Sequence, residues 1–195
     1  AGGERALSVS AGAEGEAAGD DVWVILDRTP FYAERGGQVG DRGTLVGPAG
    51  TFAVTTTQAP QGTAAVVHVG RVTAGTIAEG DAVRAVVDEA SRAGTMAHHT
   101  ATHLLHAALR AELGEHVHQS GSLVEPDRLR FDFAHGQPLT SRERRAVQVR
   151  VNAAIRADLP VDVVEMPTAE ALKSGAMALF DEKYGDVARV VTVPA

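Results

Sequence analysis

"ASRAGTMAHHTATHLLHAALRAELG", residues 90–114, is where the character of the chain changes. It contains no proline, is rich in alanine and leucine, and ends on Gly114 in the place of a helix C-cap. The pattern predicts one long helix. On its N-terminal side lie short apolar or alternating runs: "VWVIL" at 22–26, "TFAVTTT" at 51–57, "AAVVHVGRV" at 64–72 and "DAVRAVV" at 81–87. "GPAG", "APQG" and "AEGD" punctuate them as turns. Strands at this spacing predict a small all-β barrel over residues 21–90.

On its C-terminal side the pattern is mixed. "HVHQSGSLVEPDRLRFDF", 116–133, reads as a hairpin turning at "EPDR", with Phe131 and Phe133 directed to the core. "TSRERRAVQVRVNAAIRADL", 140–159, reads as a helix with Thr140 or Ser141 as N-cap and Pro160 as terminator. "VDVVEM" is a strand, "TAEALKSG" a short helix capped by Thr168 and closed by Gly175, and "ARVVTV" a last strand. Strands and helices do not alternate as βαβ units, so the fold class is α+β. The expected order is a small N-terminal β-barrel and then, over 91–195, a core of antiparallel sheet and helices. Residues 1–20, rich in Gly, Ala and Glu, read as a linker with one short strand at Ala6–Val9.

The 195 residues, 44% hydrophobic, can bury a real core, filled by Val, Ala and Leu because aromatic residues make up only 4%. A net charge of -7 is not the footprint of a general nucleic-acid binder. Without cysteine there is no disulfide framework and no thiol catalysis. No stretch approaches the ~20 apolar residues of a membrane span, and no apolar signal segment opens the chain; a cytoplasmic location and no membrane partner are expected.

Within the central helix, His99, His103 and His106 recur at i, i+4 and i+7 and share a face. Two imidazoles at i, i+4 can bind one zinc ion, yet a zinc site needs three or four ligands, and an isolated pair is often incidental. Thr100 stands where the helical zinc-protease motif has its glutamate, which disfavours metalloprotease chemistry. His98 and His106 read as solvated or hydrogen-bonded to neighbours rather than as ligands. Thr102 reads equally as a helix residue bonded to its i−4 carbonyl. "ERGGQVGDRG", 34–43, is either a sharp turn or a loop that lets backbone approach a ligand closely. Glu34 reads as a loop carboxylate facing Arg35 or solvent, and "RERRAVQVR" as a solvated helix face with a local basic patch that could contact phosphate.

Taken together, "TPFYAERGGQVGDRG" at 29–43, "HTATHLLHAALRAELGEHVHQSGSLVEPDRLRFDFAH" at 99–135 and "GAMALFDEKYGDVARVV" at 175–191 resemble the editing domain of alanyl-tRNA synthetase and its free-standing relatives. The resemblance runs from Val22 to Val193. It implies hydrolysis of the ester of mischarged tRNA(Ala), releasing serine or glycine, by a domain excised from a bacterial synthetase. It makes His99 and His103 zinc ligands. It gives catalytic roles in the aminoacyl pocket to Thr102 and Gln119, and a lining role to Ser122. Gly36, Gly37 and Gln38 become the loop that closes over the tRNA acceptor end. The family's two other ligands sit in a Cys-Gly-Gly-Thr-His segment that these residues do not include, so zinc would have two of its usual four ligands here. Arg35 and Asp181 depart from the family's usual small residue and glycine.

The residue types suit such chemistry. A synthetic site shaped for alanine cannot strongly reject serine, which adds only a hydroxyl. A second site can demand that hydroxyl, and Thr102 and Gln119 can pair with it. An aminoacyl ester is already activated, and needs a positioned water and a stabilised oxyanion more than a covalent nucleophile. A non-catalytic homologue that binds aminoacyl-tRNA, or another aminoacylated carrier, is the alternative.

Overall fold

The computed structural model describes the backbone of residues 4–11, and residues 22–174 and 185–193 in full. The chain divides into two compact units, Ala1–His99 with Leu123–Leu129 and Thr100–Ser122 with Arg130–Ala195.

The first unit is a closed antiparallel barrel with strand order β1-β2-β5-β4-β3-β6. Its strands are β1 Glu4–Ala11, β2 Val22–Leu26, β3 Gly43–Val46, β4 Gly50–Gln58, β5 Val67–Gly75 and β6 Ala82–Val87. The strand expected at Ala6–Val9 lies inside β1, which pairs with β2 and β6 and so leaves no barrel edge unpaired. The alternation pattern did not announce β3. Its four residues "GTLV" carry too little pattern alone, and become a strand because β4 pairs on one side and β6 on the other.

Alternation fills the interior. Val24 and Leu26 of β2, Leu45 of β3, Phe52 and Val54 of β4 and Val83 of β6 join Phe31 and Ile77 in one cluster. Burying a side chain of this kind is worth about 1.5–3 kcal/mol. A register shift between Val54 and Thr56 reverses the alternation of β4, so that Thr57 is buried and Thr56 is not. That reversal serves the loop ahead of β3. The buried Thr57 hydroxyl donates to the Asp41 carbonyl (2.9 Å), and the Thr57 carbonyl accepts from the Glu34 N–H (2.8 Å). A Cβ at Gly40 would strike the Thr57 backbone.

Helix α1 spans Glu89–Leu113, close to its expected bounds. Asp88 caps it: one carboxylate oxygen accepts from the Ser91 N–H (3.0 Å) and the other from the Ser91 hydroxyl (2.8 Å). Gly114, at φ 116°, closes it.

The second unit holds the C-terminal half of α1, most of the hairpin β7 Gln119–Val124 and β8 Leu129–Phe133, then α2 Ser141–Ala157, β9 Asp162–Pro167, α3 Thr168–Lys173 and β10 Val187–Thr192. Ala108, Leu109, Val117 and Val147 form its core, with Phe131 and Phe133 packed on it as expected. Thr140 begins α2 through a capping box with Glu143, and Asp158 ends it in the left-handed region, just before Pro160. α3 differs from expectation: Thr168 is its first helical residue, and its hydroxyl donates to the Gly185 carbonyl (2.6 Å) instead of capping. Gly175 and most of "GAMALFDEKYG" lie outside the described residues. No described helix is long and apolar enough to cross a membrane. The architecture is the α+β class expected.

Candidate functional site

In the first unit the Gly36–Gly37 pair forms a turn between Arg35 and Gln38, whose backbones exchange hydrogen bonds of 3.0 and 3.1 Å. Gly36 has φ 59° and Gly37 φ 81°. A two-residue turn with both central residues left-handed costs glycine least. The turn rests on the tip of the β7–β8 hairpin: the Val124 N–H donates to the Gly37 carbonyl (2.8 Å), and the Val39 N–H to the Val124 carbonyl (3.1 Å).

The Gln38 side chain then reaches α1. Its Oε1 accepts from His99 Nδ1 at 2.6 Å. With the amide oriented this way the proton of His99 sits on Nδ1, and Nε2 carries the lone pair. Metal-binding histidines characteristically use their second nitrogen so. His98, read as bonded to a neighbour, is so: its Nδ1 donates to the Glu125 carbonyl (2.9 Å).

An ion pair holds the start of α1 to the same loop. Arg92 pairs with the buried carboxylate of Asp41, which also accepts from the Tyr32 N–H (2.6 Å). Arg92 donates further to the Pro30 carbonyl (2.7 Å). Glu34 is exposed and forms no ion pair among the described residues, in keeping with its reading as a solvated carboxylate.

Behind the loop lies His68, fully buried in β5. Its Nδ1 donates to the Val24 carbonyl (2.9 Å), so its Nε2 must accept from the Thr29 hydroxyl (2.8 Å). Phe31 meets the ring edge-on at 5.1 Å. Burial pushes the His68 pKa down, against the opposing pull of the Val24 bond. This histidine is structural.

In the second unit Thr102 and His103 follow on α1, Thr102 buried and His103 half-buried. Gln119 opens β7 half-buried, its Nε2 enclosed without a hydrogen-bond partner, and Ser122 lies further along the same strand. His106, read as solvated or bonded to a neighbour, is not solvated; the Val117 backbone lies close enough to raise its pKa without meeting hydrogen-bond geometry. His106 is 5% exposed, and neither ring nitrogen has a hydrogen-bond partner. The helical spacing that grouped it with His99 and His103 was the available signal, and its burial follows from Phe131, whose ring lies 5.1 Å away.

The structure thus gathers Gly36, Gly37, Gln38 and His99 in one unit and Thr102, His103, Gln119 and Ser122 in the other, with α1 running through both. Among the described residues no group of three or more His, Cys, Asp or Glu side chains is placed to hold a metal. Two histidines are not a complete zinc site.

Residues 8–91 match the family model described as tRNA synthetases class II (A). The chain is 58% identical over 174 residues, 89% of its length, to an alanine--tRNA ligase of Acidithiobacillus ferridurans. It is 54% identical over 97% of its length to one from Roseiflexus castenholzii, and 56% identical over 90% to one from Thermus thermophilus. It spans about a fifth of the length of these relatives, 20%, 21% and 20% respectively. Identity of this order along nine-tenths of its residues places the chain, for the stretch it spans, in the alanyl-tRNA synthetase family.

Proposed function

We propose that this chain is a hydrolytic editing domain that deacylates Ser-tRNA(Ala) and Gly-tRNA(Ala). The observation that carries the reading is a pair of polar side chains held away from water in the second unit of a chain from the alanyl-tRNA synthetase family. Thr102 is a buried hydroxyl on α1, and Gln119 holds an enclosed amide nitrogen that waits for an acceptor.

Water attacks the ester carbonyl carbon, the carbonyl oxygen takes the negative charge, and the terminal ribose oxygen leaves with a proton. Thr102 and Gln119 pair with the polar groups of the aminoacyl moiety and hold the carbonyl in line for attack. The Gly36–Gly37 turn offers a backbone with no side chain in the way, suited to the acceptor end of the tRNA. Gln38 keeps His99 in one orientation. Zinc bound through His99 and His103 belongs to this reading, with further ligands needed beyond those two. When bound it would polarise the ester carbonyl or lower the pKa of a water.

An alanyl ester would leave the enclosed Gln119 amide nitrogen unpaired, at about 1–3 kcal/mol. That corresponds to roughly 5- to 150-fold slower deacylation of Ala-tRNA(Ala) than of Ser-tRNA(Ala). The test is release of labelled serine, glycine and alanine from tRNA(Ala), with and without added zinc. Gln119→Ala should slow serine release while the far-ultraviolet circular dichroism is kept; unchanged kinetics would remove Gln119 from the site. The alternative reading is a domain that binds aminoacyl-tRNA, or another aminoacylated carrier, without hydrolysing it. Retained binding of Ser-tRNA(Ala) with no serine release, zinc present, would decide for that one.

A further inference from the structure

The buried polar side-chain atoms without a hydrogen-bond partner, among the described residues, all belong to the second unit: both nitrogens of His106, Nε2 of Gln119 and Nε2 of His135. His135 is otherwise engaged, since its Nδ1 meets His116 Nε2 at 2.9 Å. His106 has no bond of that geometry, although the Val117 backbone lies near enough to bear on its protonation. The His106 ring is 5% exposed and lies beside Phe131 in the unit's core. A leucine would fill that space without two orphaned polar atoms, so packing gives no reason for an imidazole.

Its neighbour on the helix face is Thr102. The two are four residues apart on α1, one turn, and each is 5% exposed. Burial lowers the pKa of His106, opposed by the Val117 backbone and reinforced by Arg110 and His118. The ring is therefore neutral near pH 7 and presents one donor and one acceptor. A primary hydroxyl is also one donor and an acceptor. A threonine hydroxyl and a neutral imidazole one turn apart complement it from two sides.

We propose that His106 is a specificity-determining residue of the aminoacyl site, its buried ring nitrogens taking the side-chain hydroxyl of a seryl ester together with Thr102. The inference rests on the hydrolase reading for its substrate class. A glycyl or alanyl ester leaves the ring nitrogens as unpaired as they are in the free protein, so only serine gains from them.

The ratio of serine to glycine release from tRNA(Ala) tests this, because a merely structural role would move both rates together. With the 195-residue chain, His106→Leu should lower that ratio roughly 2- to 12-fold, the span of one ordinary hydrogen bond. His106→Gln, which keeps a donor and an acceptor, should recover part of it. Should leucine prevent folding, His106→Met is the second apolar variant, flexible enough to fill the same space. A ratio unchanged in the apolar variant overturns the inference and leaves the hydrolase reading intact. If the wild-type chain releases neither amino acid, the hydrolase reading fails, and binding decides the inference separately. The probes are then acceptor-stem minihelices ending in hydrolysis-resistant 3′-seryl or 3′-glycyl amides, followed by calorimetry. A seryl preference that vanishes in His106→Leu supports the role; no preference in the wild type, or one the variant keeps, overturns it.

Discussion

Replacing Thr29 by valine keeps the shape of the side chain and deletes one hydroxyl. That hydroxyl donates to His68 Nε2 (2.8 Å) and accepts from the Phe31 N–H (3.1 Å). His68 cannot compensate by moving its proton, because Nδ1 faces the Val24 carbonyl, which can only accept. Nε2 is thus left as a lone pair with no donor, in a residue with no solvent exposure. An orphaned buried acceptor costs about 1–3 kcal/mol. Taking about 2 kcal/mol, with a urea dependence of about 2 kcal/mol per molar, the unfolding midpoint should fall by about 1 M. Trp23, the only tryptophan, lies in β2 beside Val24 and reports on this barrel by fluorescence.

The pH dependence gives a second reading of the same site. The unfolded chain protonates His68 near its ordinary value of 6.5, whereas burial holds the folded value lower. Stability from this site is therefore complete above pH 6.5 and declines as the pH falls below it, by at most about 1.4 kcal/mol per unit, until the folded pKa is passed. A Thr29→Val midpoint within about 0.2 M of wild type at pH 7.5 would refute the account of His68 as a bonded core residue.

Asp41→Asn should destabilise the barrel by roughly 1–3 kcal/mol in the same urea titration, since it removes the charge opposite Arg92 within a nearly buried carboxylate site; the half-exposed Arg92 keeps the cost moderate. Gly37→Ala places a Cβ at φ 81° and should cost about 1–2 kcal/mol by urea midpoint. If the proposed function holds, it should also slow serine release from Ser-tRNA(Ala), because the turn proposed to take the acceptor end is then strained; deacylation at the wild-type rate would take Gly36 and Gly37 out of substrate contact.

Local chemistry was legible in the residues themselves. Alternation in "VWVIL" and "TFAVTTT", the cap at Thr140, the turn at "EPDR" and the glycine stop at 114 depend only on neighbours within a few residues, and the elements formed where these signals stand. The helix that carries His99, Thr102 and His103 formed as well, its pitch fixed by the backbone. What depended on distant residues was not legible. β3 exists through two partners, Thr57 turns inward because β4 slips by a residue, and Asp41 meets Arg92 across 51 positions. Thr29 finds His68 across 39. His106 is the sharpest case. Its spacing announced a helix face, but whether that face meets water or Phe131 is a property of packing, and packing alone turned a surface histidine into an enclosed, unsatisfied one.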